Sequence, residues 1–106
     1  MQEKPNLSFI EQLSGGDKSF ENRLLGVIKN ELPKEIREYK NSLGQNKFLQ
    51  TAENVHKLKH KISILGLEKS YQLAIDYEKD LKLQDLKLKN DFEKVLDSMI
   101  QFIDDC

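Results

Sequence analysis

The chain has 106 residues, 38% of them hydrophobic, with 17 Lys and Arg against 18 Asp and Glu and a formal net charge of -1. That length allows one domain with one modest core, and so balanced a charge excludes the broad cationic surface on which nucleic-acid-binding domains hold phosphates. No apolar stretch approaches the ~18 residues that span a bilayer, the opening MQEKPNLSF lacks the cationic-then-apolar order of a secretion signal, and the single Cys106 has no partner for a disulfide.

Helix formers dominate, and strict apolar–polar alternation is sustained nowhere, so the fold class is all-α. Leu7, Ile10 and Leu13 recur in steps of three, which predicts a short helix ending at the Ser14-Gly15-Gly16 breaker. Asp17 stands where an N-cap belongs, ahead of Phe20, Leu24, Val27 and Ile28. Pro33 falls inside that pattern, and Ile36, Tyr39 and Leu43 continue the stripe to Gly44. One long helix kinked at the proline is expected, with two shorter helices as the alternative.

A third helix is predicted from about Lys47 to Leu65, closed by Gly66. A fourth covers Leu67 to about Leu81, with Leu67, Tyr71, Ala74, Ile75 and Glu78 in helical register, and a fifth runs from Asp85 to Asp104. The expectation is an antiparallel up-down-up-down four-helix bundle with a short extra N-terminal helix, residues 1–106 forming a single domain. The lysines between Lys79 and Lys89 alternate with leucines, Asp80 and Asp85, which reads as a solvated loop and helix start rather than a nucleic-acid contact.

The third helix carries the chemistry. At about 100° per residue, Phe48, Ala52, Val55, Leu58, Ile62 and Leu65 share one apolar arc. His56 lies off that arc, on a strip with Leu49, Glu53, Lys59, His60 and Ser63, so its imidazole is expected to be exposed on a rigid support. Such a ring can bind metal, move protons or accept a covalent group. Proton transfer lacks convergent partners in this sequence. His56 and His60, four apart, offer only two metal ligands, with Glu53 as an uncertain third, and the order His-Glu-x-x-His is absent, so no metal site is expected. A phosphoryl group on His56 places a dianion in mid-helix that wants a cation about one turn away; Lys59 has that spacing, and Ser63 offers a hydroxyl two turns on.

The stretch from Val55 to Leu67 resembles the signature of histidine-containing phosphotransfer (HPt) domains, the phosphoryl carriers of multistep two-component relays. In that family the modified histidine is followed by an apolar residue at plus two, Lys at plus three, Gly at plus four and a Leu-Gly pair ending at plus ten. His56, Leu58, Lys59, Leu65 and Gly66 match this pattern. Ser14-Gly15-Gly16-Asp17 is similar to the family's turn before its long helix, Glu31-Leu32-Pro33 to its proline, and Leu73 to Leu81 to the helix that follows the site. His60 stands where the family has the small glycine that leaves room for an incoming aspartyl phosphate. Only His56, however, has both the Lys at plus three and the Gly at plus ten.

The resemblance implies a four-helix bundle that is a phosphoryl carrier and not an enzyme. His56 would take the group from one receiver-domain aspartate and pass it to another, with Lys59 stabilising its charge, no cofactor of its own, and the receiver supplying Asp and Mg²⁺. Leu49, Glu53, Lys57, His60 and Ser63 are the expected docking surround, although Leu49 alternatively packs under the first helix. His60 would swing aside, pair with the phosphate or tune partner choice. Expected partners are receiver domains of response regulators or hybrid histidine kinases, with no nucleic acid and no membrane, and the expected state is a cytoplasmic monomer. The rival reading is a degenerate HPt-like adaptor that binds a receiver without being phosphorylated.

Overall fold

The computed structural model describes residues 3–106. Five helices follow in order: α1 (Ser8–Ser14), α2 (Lys18–Gly44), α3 (Phe48–Ile64), α4 (Glu68–Lys82) and α5 (Lys89–Asp104), with no strand among the described residues. None of these helices is long and apolar enough to cross a membrane. α3 packs against α2 and α4, α5 packs against the same two helices, and α1 lies on α2.

Local chemistry explains the boundaries. α1 stops at Gly15, whose φ of 60° ends the helix in the left-handed conformation. Asp17 caps α2, its carboxylate accepting from the Phe20 N–H at 3.2 Å. α2 runs unbroken through Pro33 for 27 residues, so two separate helices are excluded. Its core face, Ile28, Leu32, Ile36 and Tyr39, lies on both sides of the proline, and this packing holds the helix together where one backbone hydrogen bond is missing. Val27, expected in the stripe, is 46% exposed because it sits a full residue step from Ile28, the position that faces inward.

α2, α3 and α4 all end in the same way. Asn46, Gly66 and Gln84 take positive φ (56°, 77° and 60°). After each, a backbone N–H returns to a carbonyl in the last turn: Lys47 to Ser42 at 3.0 Å, Leu67 to Ile62 at 3.2 Å and Asp85 to Asp80 at 2.8 Å. The third of these closures moves the expected start of α5. Asp85 does not begin a helix; its carboxylate accepts from the Lys87 N–H at 3.0 Å in a side-chain turn, and α5 begins at Lys89.

The N-terminal segment straps the α3–α4 connection. The Glu3 carboxylate accepts from the N–H groups of Lys69 and Ser70 at 2.8 and 2.9 Å, capping α4 from 66 residues away, while Asn6 N–H donates to Leu65 O at 2.8 Å. Burial pushes the Glu3 carboxyl up, but these donors outweigh it and hold the group below its usual range.

The core joins all five helices, from Ile10 through Val55, Leu58 and Ile62 to Leu96, Met99 and Ile103. Tyr39, Tyr77 and Phe92 meet within it at ring-centre distances of 5.0–6.3 Å. The two phenols share a 2.7 Å hydrogen bond, and Tyr39 donates onward to Glu93 at 3.0 Å. Burial, with these partners, pushes the Tyr39 hydroxyl well above its ordinary value, so it is a permanent donor.

Candidate functional site

Val55 and Leu58 are fully buried, and this fixes the azimuth of α3. His56, one residue from Val55, is thereby turned outward with 54% of its side chain exposed. Its Nδ1 lies 3.4 Å from Glu78 Oε1, on α4. Lys59 Nζ reaches the same oxygen at 3.2 Å and sits 5.8 Å from the centre of the Tyr71 ring. Lys82, one turn along α4, approaches the other Glu78 oxygen at 4.0 Å. One carboxylate therefore gathers the imidazole and two ammonium groups.

The contact bears on which nitrogen is available. A carboxylate oxygen accepts, so a hydrogen bond from His56 to Glu78 needs the tautomer with its proton on Nδ1, in which Nε2 carries the free lone pair. The ring is steered both by the helix beneath it and by a carboxylate behind it, the arrangement that fixes tautomer and orientation in histidine sites generally.

The expected docking residues are distributed unevenly. Leu49 is 69% exposed, so it does not pack under α1. Glu53 and Lys57 are exposed beside His56 on α3. His60 is exposed one turn on, its ring edge-on to that of His56 with centres 5.4 Å apart. Ser63 is exposed as well, and it lines a cleft with Asn6, Phe9, Gln12, Glu68 and Tyr71. Lys59 is the least exposed of these residues: only 12% of its side chain is exposed, because Glu78 and the Tyr71 face hold its ammonium.

Glu78 and Tyr71 are the site residues that sequence reasoning missed. Both lie in the apolar register of α4, and a carboxylate at a position that packing should reserve for an apolar side chain was the available signal. Lys61, within the same stretch, has a different task. Its buried ammonium bridges α3 to α2 through Glu31 at 3.0 Å and Glu35 at 3.3 Å. Burial pulls its pKa down, but the two carboxylates overcome that and raise it.

Comparison of the chain with protein-family models, with curated proteins and with solved structures finds no match. The functional reading therefore rests on the geometry of this site.

Proposed function

We propose that the protein is a histidine phosphotransfer carrier in which His56 shuttles a phosphoryl group between receiver-domain aspartates. In this reading the pairwise helix contacts belong to one antiparallel four-helix bundle of the HPt type, acting in the cytoplasm as a monomer and docking transiently on receivers. The observation that carries the proposal is the exposed imidazole whose Nδ1 is held by Glu78, leaving Nε2 as a positioned nucleophile.

In the forward step the Nε2 lone pair attacks the phosphorus of an aspartyl phosphate. The N–P bond forms as the P–O bond to the aspartate breaks, and the carboxylate leaves with the bonding pair. The ring retains its Nδ1 proton and becomes cationic, and Glu78, already in contact with that proton, stabilises the charge. Return of the group to a second aspartate reverses these changes. The receiver supplies magnesium and the acyl phosphate; this chain supplies position and electrostatics. Leu49, exposed two turns before His56, gives apolar contact to the docking face, and Glu53, Lys57 and His60 give its polar part.

Incubation with a phosphorylated receiver domain, followed by measurement of acid-labile label, tests the proposal. Label should appear in the parent and in His60→Gln and be absent in His56→Gln. A receiver that binds but leaves no label would establish the adaptor reading instead.

A further inference from the structure

We infer that His56 and His60 form a chelating site for a divalent transition ion such as zinc, and that an ion bound there occupies the nitrogen used for phosphoryl transfer. The second half rests on the proposed function; the first does not.

Three observations converge on the site. The first is the spacing of the rings. A zinc–imidazole bond of about 2.1 Å, added to the roughly 1.1 Å from ring nitrogen to ring centre, puts each ring centre about 3.2 Å from a shared ion. At a tetrahedral angle two such centres lie about 5.2 Å apart. The observed separation is 5.4 Å. The rings stand at 88° to one another, and both residues are exposed, so rotation about χ2 of His60 can aim a nitrogen at the common point without moving the backbone.

The second observation is Glu78. A histidine ligand characteristically donates its other ring N–H to a carboxylate, which fixes the tautomer and makes the ligating nitrogen more basic. Glu78 stands 3.4 Å from His56 Nδ1, the nitrogen that chelation through Nε2 leaves free. The third is charge. Of the two lysines that stand between these histidines in the sequence, Lys59 is paired with Glu78 and drawn over Tyr71, so its repulsion is largely compensated, while Lys57 is exposed.

Among the described residues no three His, Cys, Asp or Glu side chains converge as a metal-binding group. The site accordingly has two protein donors and completes its coordination with water. Such a site is open and exchangeable, unlike a closed structural zinc centre, and imidazole donors favour zinc, copper and nickel over magnesium. Because the ion and the phosphoryl group compete for the Nε2 lone pair of His56, metal-bound and phosphorylated states are mutually exclusive.

The test is titration of the full chain, in a Cys106→Ser background that removes the exposed terminal thiol, with zinc chloride. It is followed by calorimetry and by imidazole resonances in nuclear magnetic resonance. One equivalent should bind and shift both histidines, with affinity falling at least about tenfold in His56→Gln and in His60→Gln separately, and about tenfold in Glu78→Gln. Unchanged affinity in His60→Gln, or His56 resonances that do not move, overturns the chelate. Zinc should also suppress labelling of the parent by phosphoramidate and leave labelling of His60→Gln much less affected. Equal labelling with and without bound zinc overturns the exclusion, while a chain that no donor labels refutes the carrier function and leaves the titration to decide the metal site.

Discussion

Replacement of Gly66 by alanine separates what holds the α3–α4 connection from what acts on a partner. Gly66 has a φ of 77°, and a Cβ there would lie 2.6 Å from Asn6 Oδ1 and 2.7 Å from Asn6 Nδ2. Left-handed backbone costs an L-residue about 1–2 kcal/mol. The Asn6 amide can rotate away, but it then gives up the hydrogen bond that its Oδ1 accepts from the Ser8 N–H at 3.0 Å, worth about 1 kcal/mol. Gly66→Ala should therefore destabilise by about 2–3 kcal/mol, read from urea midpoints by circular dichroism. In an Asn6→Ala background the clash and the Ser8 bond are both already gone, and the same substitution should cost only the backbone share of about 1–2 kcal/mol. A cost below about 0.5 kcal/mol in the parent refutes the left-handed requirement, and equal costs in the two backgrounds refute the Asn6 contact.

Other consequences are as specific. Glu78→Gln should return His56 to a mixture of ring tautomers, visible in its nitrogen-15 shifts, and slow phosphoryl uptake about tenfold; unchanged shifts would remove Glu78 from the site. Lys61→Met should cost about 1–3 kcal/mol, because it strands Glu35, one of whose carboxylate oxygens is already buried without a partner, and adding Glu35→Leu should recover part of the loss. Glu3 and Glu21 are held below the ordinary value of 4.5, Glu21 chiefly by the Ser14 hydroxyl, so the stability they add is complete above that pH and is lost as pH falls through their folded values. The double variant Glu3→Gln, Glu21→Gln should flatten the acid limb of a stability–pH curve, and a limb of unchanged steepness would show that neither carboxylate matters. Tyr39→Phe should cost more than Tyr77→Phe in thermal unfolding, since only Tyr39 bonds both the other phenol and Glu93.

The helices were legible wherever a stripe was continuous. Ala52, Val55, Leu58, Ile62 and Leu65 repeat at helical spacing, and all are buried, so the outward placement of His56 followed from the wheel. What could not be read is chemistry that joins distant segments. Glu3 capping α4, and Glu78 behind His56, are pairings across helices that no local window contains. Turn chemistry was legible only where glycine announced it. Gly66 marked the end of α3, but Asn46 and Gln84 take the same backbone conformation with residue types that give weaker signals, and for that reason the start of α5 was expected four residues early. Lys59 reaches the same carboxylate as His56, and its 12% side-chain exposure is set by Glu78 and Tyr71 on α4, which no wheel of α3 contains.

The withdrawn position of Lys59 changes how the site should be understood. Were it a free cation, it would attract a phosphoryl group directly. Bound at 3.2 Å to Glu78, it neutralises the carboxylate that orients His56 and so keeps a partly buried negative charge tolerable near the surface. Glu78 is 17% exposed in its side chain, and Lys59 at 3.2 Å with Lys82 at 4.0 Å supplies the positive charge that offsets its partial burial. The lysine thus acts on the imidazole through the glutamate before any phosphate arrives. In the proposed carrier, a dianion on Nε2 would compete with Glu78 for the Lys59 ammonium, and a lysine drawn toward the phosphoryl oxygens would leave Glu78 free to hold the cationic ring more strongly through Nδ1–H.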